Sequence, residues 1–337
     1  MAGALQGEGG LTMRIVLASI AIMLACVLAG LAYGDFALSV ADLLRALFRS
    51  PDAPPQALMI VWSIRLPRVL LAVLVGMALA VAGAIAQAVL RNPLADPGII
   101  GINSGAALAA MVVLVGLDDV SPAILPVAGF AGASAMVAAI FLLSWKNGTS
   151  SLRLLLIGIG LGALASAATT FLTAVGDIGD VQRAMVWMAG SLFDSNWTKV
   201  AVLAAWSVPV MVAAWLVSHH LDATLLGDGI AANLGQRVQL TRTLLILGCT
   251  LLSGATVAAA GLVSFVGLLA PHIARRLVGP LHRALLPVAA LTGGTLVVIA
   301  DVASRMVIAP AQLPVGLTIA LVGAPFFGWL MWNRRNA

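Results

Sequence analysis

Long apolar runs separated by short polar breaks fill the chain. A helix needs about 20 apolar residues to cross a bilayer. Ten runs meet or approach that length: about 13–33, 62–89, 98–117, 122–144, 152–175, 199–219, 240–261, 264–278, 284–308 and 314–332. The eighth is short and carries Pro271 and His272 ahead of Arg275 and Arg276. The pattern predicts an all-α, polytopic membrane protein with about ten transmembrane helices and both termini on one side.

The sharpest break is Arg91-Asn92-Pro93-Leu94-Ala95-Asp96-Pro97-Gly98. Two prolines four residues apart end one helix and allow the next to begin, because the residue before a proline is driven out of the α region. The stretch 65–107 is therefore two membrane helices joined by a tight polar elbow, opened by Arg65 and Arg68 around Pro67. Two longer breaks have room for structure. In 34–61, Ser39–Arg49 predicts a short amphipathic helix ahead of Pro51, Pro54 and Pro55. In 220–239, Asp222 and Asp228 suit helix N-termini, where a carboxylate meets free N–H groups and the positive end of the dipole. That stretch predicts one or two short helices lying at the membrane surface. Residues 1–12 are Gly-rich and predict a disordered tail. The run after Arg14 exceeds a signal-peptide core and predicts an uncleaved first span. No internal repeat emerges, so 13–337 is one transmembrane domain.

Composition sharpens this picture. The 337 residues are 61% hydrophobic and 9% charged, with a mean hydropathy of +1.08, against about 25% charged residues in a soluble domain. The net charge of +5 does not indicate nucleic acid, because arginine in such a chain marks loops and orientation. With the N-terminus in the cytoplasm, eleven of the 18 Lys and Arg fall inside; Arg45, Arg49, Arg65, Arg68, Arg183, Lys199 and Arg305 fall outside. The outer loops also carry most of the acids, Asp35, Asp118 and Asp119 among them. Cys26 and Cys249 lie singly in apolar runs and are expected as buried hydrophobes.

Catalytic chemistry has nothing to stand on. There is no GxxxxGKS/T phosphate loop, HExxH or GxSxG, so no enzyme, metal or cofactor is expected. The pair His219-His220 lacks supporting carboxylates. Asp301 is the one carboxylate inside a predicted span, and Arg305 lies one helical turn away on the same face. A self-satisfied pair is a poor proton relay, which counts against a stand-alone secondary transporter. Gly158, Gly162 and Ser166 stand at four-residue spacing, a face that lets helices approach closely. Packing within the subunit, a subunit interface and a pathway wall all remain open for it.

Five stretches together resemble one family. They are Arg65-Leu66-Pro67-Arg68; Gln87 followed by RNPLADPGIIGINSGAALA (91–109); SFVGLLAPHIARRLVGPLHRALLP (264–287); Ala300-Asp301-Val302-Ala303-Ser304-Arg305; and QLPVGLTIALVGAPFFGWL (312–330). This is similar to the FecCD-like permeases, the membrane subunits of ABC importers for iron chelates, haem and cobalamin. The resemblance implies a permease subunit in a bacterial inner membrane, moving a ferric siderophore by alternating access, with haem or cobalamin as the other family substrates. It implies as partners a second permease subunit, two cytoplasmic ATPase subunits and a periplasmic or lipid-anchored substrate-binding protein. Arg65, Arg68 and Arg305 are then expected to dock the binding protein. Asn92, Leu94, Ser150 and Ser151 are expected at the cytoplasmic gate, and Gly158, Gly162, Ser166 and Thr169 along the pathway. Coupling helices are expected over about 222–237, with Asp222, Leu226, Asp228, Ala231, Leu234 and Gly235 on the ATPases. Gly costs about 1 kcal/mol inside a helix, so the second coupling helix is expected to start after Gly229. Gln312 stands where the family usually has Glu.

Overall fold

Helices carry the chain, because in hydrocarbon a helix satisfies every backbone group within its own segment. The structure is a computed structural model; it describes residues 2–34, 36–117, 121–146, 148–309 and 311–335, with side chains described at 10–328 (residue 122 apart) and at 332. In order the helices are α1 (Ala2–Ala32), α2 (Val40–Leu47), α3 (Pro55–Met59), α4 (Leu66–Leu90), α5 (Ile102–Gly116), α6 (Leu125–Ser144), α7 (Ser151–Val175), α8 (Ile178–Met188), α9 (Trp197–Leu216), α10 (Ser218–Leu225), α11 (Asp228–Asn233), α12 (Val238–Ala260), α13 (Val266–Val278), α14 (His282–Met306) and α15 (Val315–Arg335). A π-helical turn, Ile60–Arg65, joins α3 to α4, so apolar helix continues from Pro55 to Leu90.

Each of the ten apolar runs is a helix. Seven helical segments among the described residues are long and apolar enough to cross a membrane. The segments Ile102–Gly116 and Val315–Gly328 are apolar but shorter, and α13 has 13 residues. The third run starts late for a local reason. Asp96 accepts the Gly98 N–H (2.9 Å) and opens a 3-10 turn over Pro97–Ile100. Gly101, at φ 78°, then turns the chain into α5.

Other expectations need correcting. The backbone of α1 is helical from Ala2; Met1 and the side chains of 2–9 lie outside the described residues, as do Asp35, Asp118 and Asp119. Helix α11 starts at Asp228 rather than after Gly229, because Gly227 takes a positive-φ extended conformation (φ 99°, ψ 157°), open to glycine, just ahead of it. Helix α8 was not expected. Its mixed sequence gives no membrane-length run, but Asp177 caps it by accepting the Gly179 N–H at 2.9 Å. Helix α2 forms where expected, with Ser39 accepting the Asp42 N–H at 3.0 Å.

Helix α4 is the centre of the packing, with α14, α12, α13 and α9 around it. Its best apolar window is 78% buried, against 17% for α7 and 11% for α1. Two glycine contacts set the approach. A Cβ at Gly76 would overlap the Gly293 carbonyl, and one at Gly83 would overlap the Gly267 carbonyl. Such small-residue faces let helix backbones meet, and dispersion across them replaces the hydrophobic effect as the driving force. Buried Gln87 adds a polar tie: its Nε2 donates to the Gly267 carbonyl (3.3 Å) and its Oε1 accepts from Arg275 Nη2 (2.9 Å). Gly83→Ala forces backbone apart and is expected to cost at least about 1–3 kcal/mol, read as a lower melting temperature in detergent. Gly248→Ala meets only Val210 at an ordinary 3.5 Å and is expected to be neutral or to gain up to about 1 kcal/mol.

Candidate functional site

Polar residues gather at two ends of the bundle. The elbow end joins the last turn of α4, the first turns of α7 and α12, and helices α10 and α11. Arg91 ends α4 in a left-handed conformation (φ 49°, ψ 39°). The Asn92 N–H reaches back to the Gln87 carbonyl (3.1 Å), satisfying an orphan group of the helix end. Asn92 Oδ1 then accepts the Leu94 N–H at 3.0 Å. This turn and the one at Asp96 are why the elbow is tight.

The elbow meets the start of α7. Ser151 donates to the Val89 carbonyl at 2.6 Å, and Arg91 Nη2 lies 3.4 Å from the same hydroxyl. Ser150 caps α7 by accepting the Arg153 N–H at 3.3 Å. The four residues expected at a gate are thus neighbours across one contact, with Asn92, Leu94 and Ser150 half-buried and Ser151 buried. The expected pathway set divides differently. A Cβ on Gly158 would sit 2.7 Å from the Ile99 carbonyl, and Gly162 lies over Ser104, so both glycines seat α7 on the elbow and α5. Thr169 is half-buried and donates to the Ala165 carbonyl (2.9 Å), while Ser166 is exposed. The open face of α7 carries Gly160, Ala163, Ala167 and Thr170 instead.

The expected coupling set also divides. Asp222, Asp228 and Ala231 turn inward. Asp222 accepts the His282 N–H at 2.9 Å and lies 2.6 Å from His282 Nδ1, which ties α10 to the start of α14. Asp228 Oδ1 accepts from Arg91 (3.0 Å) and Arg242 (2.6 Å). Leu226 and Leu234 face out, 56% and 66% exposed, with Ile230 between them at 54%. Ile230 was not among the expected residues, although its spacing of four from Leu234 marks the two on one face of α11. Gly235, exposed at φ 82°, follows this stripe. The rings of His219 and His220 stand 4.1 Å apart; burial and then the neighbouring imidazole push His220 below its ordinary pKa. Among the described residues no three His, Cys, Asp or Glu form a cluster able to hold a metal ion.

At the other end, beside α8, the three expected docking arginines turn inward. Arg65, Arg68 and Arg305 are 4%, 8% and 7% exposed. Arg65 donates to the carbonyls of Leu31 (2.7 Å), Ala32 (3.0 Å) and Phe36. Arg305 donates to those of Gly30 (3.3 Å) and Tyr33 (2.9 Å). Two cations thus cap the C-terminus of α1, where orphan carbonyls concentrate negative charge. Asp301 pairs with Arg305 (3.1 Å), as expected, and also with Arg68 (2.9 Å). Arg68 reaches Gln312 Oε1 as well, at 2.8 Å.

A cavity of about 1270 Å³ opens beside this cluster. Arg68, Gln312, Gln182, Trp187 and Asn196 line it, together with Arg183 and Lys199. Its charges are largely balanced, since Arg183 pairs with Asp180 and Lys199 with Asp194. A collar outside it was missed in the sequence. Trp62 donates to the Ala46 carbonyl (2.9 Å), Trp197 donates to the Trp62 carbonyl (2.8 Å), and Arg49 stacks 3.9 Å over the Trp62 ring.

Comparison with known proteins gives this architecture a family. The model of the FecCD transport family matches residues 22–333. The chain is 42% identical over 318 residues to the achromobactin transport system permease of Dickeya dadantii, covering 94% of this chain and 90% of that one. It is 43% identical over 287 residues to the hemin transport system permease of Yersinia pestis, covering 82% and 84%. Among solved structures, a metal-chelate type ABC transporter in an inward-facing conformation superposes with a TM-score of 0.84 at 30% identity, covering 95% of this chain and 99% of that one. A match over most of the length, in the same order of helices, leaves one assignment: the chain belongs to the FecCD transport family.

Proposed function

We propose that this chain is the permease subunit of an ATP-driven importer that moves a ferric siderophore across a bacterial cytoplasmic membrane by alternating access. One observation carries the reading. Short helices beside the elbow present an apolar stripe, Leu226, Ile230 and Leu234, in a chain with no phosphate loop of its own. Such a stripe is a docking surface for another protein, and ATP hydrolysis belongs on that partner, a pair of ATPase subunits. Ten helices cross the membrane, with both termini and the elbow end in the cytoplasm. A second permease subunit, identical to this chain or not, covers the open face of α7, and the pathway runs between the two subunits.

The binding protein docks at the α8 end, over the cavity. There Arg68 borders the opening, while Arg65 and Arg305 hold its rim in shape. The exposed cations Arg45 and Arg183 supply complementarity that steers encounter more than it adds affinity. The achromobactin permease among the relatives supports a siderophore as cargo. The hemin permease, equally similar, supports haem as the second reading.

In vesicles holding the assembled complex, uptake of the ferric chelate is expected only when ATP and the binding protein are both present. Uptake without either would overturn the proposal. Replacing Leu226, Ile230 and Leu234 together by Ser removes apolar area worth about 1.5–3 kcal/mol for each fully buried side chain. Even partial burial then predicts at least about tenfold weaker ATPase assembly, measurable by titration of the ATPase subunit. Unchanged affinity would place that contact elsewhere.

A further inference from the structure

Helices α10 and α11 lie side by side, but they are tied to different parts of the molecule. Helix α10 is seated by Leu221, fully buried in the core, and by Asp222 on the start of α14. Helix α11 is too short to hold itself in place and buries only Ala231. Its firm attachment is the Asp228 carboxylate, with one oxygen shared by two guanidinium groups.

Those two arginines come from different elements. Arg242, in the first turns of α12, is 1% exposed, and among the described residues Asp228 is the one carboxylate it meets. Its other arm holds the Thr149 carbonyl. Gln239 holds the same residue, accepting the Thr149 N–H at 2.9 Å. Thr149 immediately precedes Ser150, the cap of α7. Arg91 is the partly exposed arm. Its left-handed backbone ends α4, its Nη1 passes over Gly227, and its Nη2 faces both Asp228 and Ser151. One carboxylate on α11 therefore closes a ring through the elbow, the start of α7 and the start of α12.

We propose that Asp228 and Arg91 are positioning residues that carry displacement of α11 to the elbow and to the first turn of α7. This rests on the importer reading above. Arg242 cannot leave Asp228 without stranding a buried charge, so α11 and the head of α12 move as one body. Arg91 adds the elbow to that body, and Ser151 adds α7. The gate then follows α11 although no ATPase residue reaches it. Helix α10 is held to α14 by Asp222 and packs on α4, so the shared Asp228 carboxylate is the link particular to α11. Arg91 meets both acceptors through the one nitrogen Nη2 at the tip of its side chain, so a shorter lysine keeps the charge but loses reach.

The test uses the complete complex in vesicles and counts chelate moved per ATP hydrolysed. Arg91→Met keeps the stem and removes the charge. Hydrolysis is expected to stay within twofold, while chelate moved per ATP falls at least tenfold; Arg91→Lys is expected to fall between. Asp228→Asn also strands Arg242, so it is expected to be the more impaired single variant, and adding Arg91→Met to it is expected to make it no worse, because the Arg91 link is already broken. An unchanged ratio in Arg91→Met, or uptake and hydrolysis falling in proportion, would overturn the proposal. Failure of the importer reading is a separate result: the unaltered complex would then transport without ATP.

Discussion

A guanidinium taken out of water must meet an oxygen that carries charge, and this requirement fixes both ends of the bundle. Four arginines are buried among the described residues: Arg65, Arg68, Arg242 and Arg305. Asp301 and Asp228 each serve two arginines, and Arg65 relies on the carbonyls that end α1. A buried ion pair rarely adds net stability over a well-packed apolar one, but losing one partner costs about 3–5 kcal/mol. Such clusters therefore specify arrangement more than they supply energy. Between the clusters the interior is apolar and small, and α4 is held by glycine contacts that admit no side chain.

The two ends are built for different purposes. At the α8 end, arginines lock α1, α4 and α14 together around the rim of a cavity. That is a rigid construction, suited to a surface on which a partner lands. At the elbow end, the carboxylate of Asp228 is partly exposed and is shared between a buried arginine and an accessible one. That is a construction that can move as a unit. Beside it stands the exposed apolar stripe of Leu226, Ile230 and Leu234. Under the importer reading proposed above, this asymmetry supplies a receiving end at the cavity and a coupled end at the elbow.

The helices were legible in the sequence because long apolar runs are unambiguous: each of the ten runs is helical, seven of them at membrane length among the described residues. The elbow was legible from Pro93 and Pro97. The direction of the polar side chains was not. The Asp301–Arg305 pair could be seen at a spacing of four, but Arg68 joins it from 233 residues away and Arg91 meets Asp228 across 137. Nothing local announces such contacts, so Arg65, Arg305 and Asp228, expected to face partners, are hydrogen-bonded within the chain instead. Helix α7 carries small residues on more than one face. Spacing alone could not show that Gly158 packs on Ile99 while Gly160 is open. Helix α8 was missed because its mixed composition hides it between two obvious spans.

The central claim is that α11 and the elbow move together. Spin labels on exposed positions test it directly: Ala232→Cys on α11 and Pro93→Cys on the elbow, in a chain with Cys26 and Cys249 replaced. Distances would be measured by pulsed electron resonance, in the complex without nucleotide and with ATP trapped. The account predicts that the distance between 93 and 232 within the chain stays constant, while the distance from 93 to a label at the matching elbow position of the second permease subunit changes by several ångströms. A change within the chain as large as that between subunits would contradict it.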